Sequence, residues 1–207
     1  MISTDDGLEP PGYPRELTEQ AFLDDGSPVE FRAIRPDDDV RLNRLFYRLS
    51  SESLYLRFFT PMTRPNAAMV RRLVNLDYVD RLALVAVVDD EIIGVARYDR
   101  TAALAPAALE VDPGEAEAAV IVEDAWQGRG IATRLLWRLS AAAVARGVHT
   151  FTASVLASNR RMVRLLSVIG EDVQMELSGT EYVARMRLAG ARPPPAGPGE
   201  PAASERR

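Results

Sequence analysis

Between residues 29 and 188, short apolar runs alternate with amphipathic stretches, and each change of period marks a change of element. Residues 29–35 alternate as a strand. Asp37-Asp38-Asp39 then offers a cap and favourable negative charge to a helix over 40–49, with Val40, Leu45, Phe46 and Leu49 on one face. A second helix is predicted over 52–59 and a third over 65–76, Pro65 suiting its first position. Residues 82–88 and 92–98, separated by Asp89-Asp90-Glu91, read as an antiparallel hairpin. After a proline-containing loop, residues 115–122 form another strand. A helix of about fifteen residues begins near Gly130, with Leu135, Leu139 and Ala142 or Ala143 facing inward. Residues 151–156 are a strand, and 159–169 a helix stopped by Gly170. Two strands, 173–177 and 182–188, complete the order β-ααα-βββ-α-β-α-ββ. That order implies an α/β (α+β) domain with a mixed, mostly antiparallel central sheet and helices on both faces.

The two ends lack this patterning. Residues 1–20 hold Glu9-Pro10-Pro11-Gly12-Tyr13-Pro14, and residues 190–207 hold Pro193-Pro194-Pro195-Ala196-Gly197-Pro198-Gly199. Proline at this density removes backbone donors and resists helix, so both ends are expected as disordered tails around one domain at 21–189. A chain of 207 residues suits one such domain.

Charge and residue usage then exclude several chemistries. The 25 Lys and Arg stand against 30 Asp and Glu, without the basic excess of a nucleic-acid-binding domain. There is no cysteine and one histidine, His149, so disulfides, thiolate metal sites, cysteine nucleophiles and His-rich metal clusters are not expected. His149 opens a strand that reads as buried, and a structural role is expected of it. No apolar segment begins the chain, and the 82–88 run is stopped by Asp89-Asp90, so neither signal peptide nor membrane span is expected. The expected setting is cytoplasmic.

One loop remains to be explained. The strand ending at Val122 passes through Glu123-Asp124-Ala125-Trp126 into Gln127-Gly128-Arg129-Gly130-Ile131-Ala132, and a helix follows at once. Such a junction presents unpaired N–H groups and the positive end of a helix dipole to a phosphate. Three phosphate loops compete for it. A Walker loop needs Gly-Lys-Ser/Thr, and Ile131 follows Gly130. A dinucleotide fingerprint needs a third glycine where Thr133 stands, and an acid about twenty residues on, where Val148-His149-Thr150 lies. The third pattern, Gln/Arg-x-x-Gly-x-Gly/Ala, is met in full by Gln127, Gly130 and Ala132.

That last pattern belongs to the GNAT acetyltransferase superfamily, and residues 31–170 resemble a GNAT domain. Ile34-Arg35-Pro36-Asp37-Asp38, Tyr55-Leu56-Arg57-Phe58-Phe59, Ile93-Gly94-Val95-Ala96-Arg97-Tyr98 and Val155-Leu156 before Asn159 narrow the resemblance. They are similar to actinobacterial Pat-like protein lysine acetyltransferases. With so few residues ahead of Val29, the cyclic-nucleotide domain fused to some relatives is not expected. The resemblance implies acetyl-CoA, or another short acyl-CoA, as co-substrate and no metal. It implies pyrophosphate on Gln127, Gly128, Arg129, Gly130, Ile131, Ala132 and Thr133. It also implies pantetheine amides on the main chain of Val120, Ile121 and Val122, with Asn159 on the arm.

Acetyl transfer to an amine needs a base, because a lysine is mostly protonated at neutral pH. Glu117 is the candidate. From Glu117 to Val122 the extended chain covers roughly 17 Å, comparable to a pantetheine arm. Flanking Ala116, Ala118 and Ala119 suggest apolar surroundings, in which a carboxyl group holds its proton more tightly. Glu117 also matches the general-base glutamate of the Pat-like relatives; Glu110 and Glu115 are weaker alternatives. Asn159 serves equally as a helix cap. Arg129 reads as a phosphate partner or a solvated surface arginine. Residues 55–59 read as core before acceptor wall, and Trp126 and Trp137 as packing. Many GNAT enzymes carry a tyrosine acid where this chain has Leu166, leaving water as the proton source. A protein lysine acceptor is expected, with a small amine or antibiotic as the alternative. A non-catalytic acyl-CoA-binding module is the second alternative.

Overall fold

Along β3 (Arg81–Val88) successive side chains enter two different cores. Leu82, Leu84, Ala86 and Val88 join one, and Ala83, Val85 and Val87 the other. An apolar run without polar alternation is what a strand covered on both faces requires. The computed structural model, which describes residues 9–60, 65–100 and 112–188, places β3 inside an eight-stranded sheet.

The remaining strands are β1 (Glu19–Phe22), β2 (Pro28–Ala33), β4 (Glu91–Arg100), β5 (Glu115–Val122), β6 (Thr150–Leu156), β7 (Glu171–Ser178) and β8 (Glu181–Arg187). Their order is β1-β2-β3-β4-β5-β6-β8-β7, antiparallel throughout except between β5 and β6. α1 (Asp39–Arg48), α2 (Ser51–Phe58) and α3 (Ala67–Val74) cover one face around Ile34, Leu45, Phe46, Leu54, Val70 and Val74. α4 (Ile131–Ala145) and α5 (Arg160–Ile169) cover the other, where Ile131, Leu135, Leu139, Ala142, Leu166 and Ile169 are buried. The mixed, mostly antiparallel sheet with helices on both faces is the architecture expected from the periodicity.

Several local expectations are corrected. Within the tail expected over 1–20, the described residues from 9 onward carry a 3-10 turn at Arg15–Leu17 and β1 on the sheet edge. Tyr13 donates to the Ala33 carbonyl at 2.9 Å and meets Tyr78 edge-on. Proline density hid this segment, because its order comes from docking and not from its own periodicity. Residues 189–207, which include the expected C-terminal tail from 190, lie outside the described residues, as do the proline-containing stretch 101–111 and Glu110.

Val40 is exposed and Leu42 takes its place on the inner face of α1. Asp38 does not cap α1 with its side chain. It is fully buried and accepts two bonds from Arg32, at 2.7 and 2.8 Å, and one from the Arg35 N–H. Pro65 precedes α3, whose cap is Asn66, accepting from the Met69 N–H. Gly170 ends α5 without a positive φ; the space that a side chain needs there is filled by Met186. His149 is exposed just ahead of β6, its ring near Asp112 and Thr150. Among the described residues no helix is long and apolar enough to cross a membrane.

Candidate active site

β5 and β6 pair only at Glu115↔Thr150, Ala116↔Phe151 and Glu117↔Thr152. Beyond Glu117 both strands continue, to Val122 and Leu156, without pairing to each other. The sheet therefore opens as a wedge with Glu117 at its apex, and the main chain of residues 118–122 forms one wall. A cleft of about 850 Å³ fills the wedge. It reaches from Glu117, past Val120, Ile121 and Val122, to the loop at the start of α4.

That loop is built for an anion. Gly128 and Gly130 hold φ of 80° and 77°, a left-handed conformation that other residues rarely adopt. The two glycines turn the chain into the start of α4, whose first residues lie along the cleft. Ser50, Asn66 and Asn159 cap α2, α3 and α5 with side-chain oxygens; among the described residues no side chain caps α4, nor α1 on the far side of the sheet. Uncapped donors and the helix dipole then add at one point. Gly128, Gly130, Ile131, Ala132 and Thr133 all line the cleft, as does Asn159.

Individual side chains divide the expected set. Gln127 lines the cleft, but its Nε2 donates to Ser53 Oγ and to the Val122 carbonyl, both at 3.1 Å. It shapes the loop. Arg129 turns outward, pairs with Asp25 and stacks over Trp126, 4.7 Å from the ring centre, so its side chain does not reach the cleft. Asn159 Oδ1 accepts from the Met162 N–H at 3.1 Å, which is the capping alternative, and leaves its amide N–H groups for the cleft. Glu117 is exposed, not enclosed by alanines: Ala116 and Ala118 point to the opposite face, as strand geometry demands. Glu115 is paired with Arg185 and does not line the cleft. Leu166 is buried on the cleft wall.

The sequence did not announce the second wall. α2 is fastened across the mouth of the loop by Asp124. Ser50 N–H and Oγ donate to its carboxylate at 2.9 and 2.6 Å, and Ser53 Oγ donates at 2.8 Å. Burial opposes the Asp124 charge, but these hydroxyl and N–H donors outweigh it and hold the carboxyl below its usual range. Leu56, Arg57 and Phe59 of the stretch read as core instead line the cleft. Arg160, Arg161 and Arg164 line it from α5, and their spacing after Asn159 was the one available signal. Among the described residues no three His, Asp or Glu side chains are grouped to hold a metal ion.

An arm-length slot with uncapped helix donors at one end and a carboxylate at the other fits a long phosphorylated thioester, and comparison with known proteins agrees. The model of the acetyltransferase (GNAT) family matches residues 45–170. An acetyltransferase of Pseudomonas aeruginosa is 30% identical over 171 residues, covering 80% of this chain and 87% of that protein. The acetyltransferase Pat of Mycolicibacterium smegmatis is 32% identical over 141 residues, 67% of this chain but 40% of that longer protein. The solved GNAT domain of S. lividans PAT superposes with a TM-score of 0.77 at 36% identity, covering 85% of this chain and 99% of that one. The chain belongs to the GNAT acetyltransferases, enzymes that transfer an acetyl group from acetyl-CoA to an amine.

Proposed function

We propose that the chain acetylates lysine side chains of proteins, with Glu117 taking the proton from the incoming ammonium. The observation that supports this most is the place of Glu117. It is exposed at the apex of the β5–β6 wedge, on the wall of the cleft that ends at the phosphate loop. Acetyl-CoA, when bound, supplies a thioester at the end of its pantetheine arm. The N–H groups of residues 128–133 hold the pyrophosphate. The slot-facing main chain of residues 120–122 and the Asn159 amide hold the arm. A main-chain N–H of the same wall faces the oxygen on which charge develops during attack. Leu166 has no proton to give, so water protonates the departing thiolate.

A protein acceptor is favoured over a small amine by the Pat-like stretches in the sequence and by the 36% identity to the GNAT domain of S. lividans PAT. An exposed carboxylate at the apex also favours turnover over mere acyl-CoA sensing, which needs no base. The test is acetyl-CoA turnover against a panel of proteins and small amines, read by mass spectrometry. Acetylated lysines in intact proteins are the expected result. Acetylation confined to small amines overturns the acceptor, and binding without turnover overturns the enzyme.

A further inference from the structure

Arg57, in the last turn of α2, lines the same cleft as Glu117. The Asp124 anchor fixes where it lies. α2 starts at the loop end of the cleft, and about seven residues of helix at 1.5 Å each bring Arg57 roughly 10 Å back along β5. It arrives above Ala119 and Ile121, with Arg97 beside it. Glu117, Ala119 and Ile121 share one face of β5. Their partners across the ladder are Asp99, Arg97 and Val95, so one patch of sheet lies under the end of α2.

The charges of that patch are unequally matched. Asp99 accepts two bonds from Arg97, at 2.9 and 2.8 Å, and one from Arg81 at 2.9 Å. These cations hold the Asp99 carboxyl below its usual range although burial opposes them. Arg57 rests on the Phe58 ring, 4.9 Å from its centre, and makes no hydrogen bond or ion pair with a described residue. Burial first, and Arg97 second, push its guanidinium down to about 10. It still carries its charge at neutral pH. Three cations thus face two carboxylates, and one of those, Glu117, loses its charge when it accepts the amine proton. The ammonium loses its own charge in the same step, so the total charge of the site is unchanged.

We propose that Arg57 binds a carboxylate of the acceptor, so that the enzyme selects lysines flanked by aspartate or glutamate. The planar fork of a guanidinium suits a carboxylate, and one with no hydrogen-bonded partner among the described residues, attracted only at longer range by Glu117 and Asp99, gains from receiving it. The inference rests on the protein-acceptor reading for the identity of the carboxylate, and the experiment separates the two.

Paired peptides with one lysine, flanked by Glu or by Gln, are compared in the wild type, in Arg57→Gln and in Arg57→Lys. The wild type should favour the acidic peptide by about tenfold in kcat/KM, carried by KM, as a charge-assisted pair implies. In Arg57→Gln the acidic peptide should fall to the level of its neutral counterpart, and Arg57→Lys should recover part of the preference. Acetyl-CoA affinity by calorimetry confirms that each variant folds. Equal rates on the two peptides in the wild type, which need no variant, overturn the proposal, as does a preference that survives Arg57→Gln. Free lysine and lysine amide form the second arm. Arg57-dependent selection of free lysine, with no peptide acetylated, upholds the carboxylate site and overturns the protein acceptor.

Discussion

An amine with a pKa near 10.4 enters the cleft almost wholly protonated at neutral pH, so the group that removes its proton controls the rate. Glu117→Gln keeps the size and hydrogen-bonding capacity of the proposed base and deletes its basicity. Turnover should fall roughly 10²–10⁴-fold with acetyl-CoA affinity nearly intact. Below the amine pKa, each unit rise in pH supplies about ten times more neutral amine, so the variant should regain rate steeply as pH rises. A variant that acetylates at the wild-type rate across the pH range makes Glu117 an ordinary strand residue. The donor site has its own residue test. At Gly130, φ of 77° is a conformation that Asn tolerates better than most residues. Gly130→Asn therefore separates backbone geometry from charge. Gly130→Asp adds a carboxylate beside the phosphates and should weaken acetyl-CoA binding by a further factor of about ten, some 1.4 kcal/mol. Equal affinity of the two variants in calorimetry removes the phosphates from this loop. That these residues lie on one cleft was legible in the sequence because their signals are local: a glycine pair between strand and helix, and a carboxylate at a fixed interval before it. The outward turn of Arg129 was not, because Asp25 is 104 residues away.

The elements that make the cleft differ in how openly the chain displays them. β5 shows period-two alternation and α4 a continuous apolar stripe, and both fall where their pattern placed them. α2 was legible as a helix and illegible as a wall. Its role depends on Asp124, more than 70 residues away, and no local pattern encodes that pairing. The Leu56, Arg57 and Phe59 side chains that read as core are therefore held on the wall of the cleft. Asp124→Asn should loosen α2, raise KM for the acceptor and affect acetyl-CoA affinity less. Its effect on stability is pH-dependent, with a sign fixed by the lowered pKa of Asp124. The charged form is favoured by the fold, so this stabilisation is complete above the unfolded value near 3.8 and fades as pH falls below it. Because Asp124 is solvent-exposed, the effect is small. The Tm gap between wild type and variant should therefore be open at pH 7 and closed in acid. A gap that stays constant with pH means that the carboxylate charge contributes nothing to the anchor.

Across the whole molecule, the segment ahead of β2 acts as a strap over the outer side of α4. Arg134 donates to the Phe22 carbonyl, Arg138 to the Leu17 carbonyl and to Glu19, and Arg146 reaches Glu16. Positions 134 and 138 are one turn apart on α4, and Arg146 follows directly after the last residue of the helix. The segment was misread because a docked strap needs no apolar periodicity of its own; arginines on the helix and Tyr13 on Tyr78 supply its order. A chain beginning at residue 21 therefore loses half of β1, the Tyr13 bond to Ala33 and the Glu16 and Glu19 partners of α4. Exposed ion pairs contribute little, so the Tyr13 hydrogen bond and ring contact dominate, at about 2 kcal/mol together. In a domain of this size that corresponds to roughly 4–8 °C in Tm. The matched control begins at residue 9 and keeps the whole strap. Acetyl-CoA affinity should change less than twofold in either chain, because the slot between β5 and β6 lies on the other side of the three intervening strands. Equal melting temperatures for the two trimmed chains would show that the strap adds nothing to stability in solution. A selective loss of acetyl-CoA binding in the shorter chain would instead make the strap part of the donor site, acting through α4 on the loop that begins it.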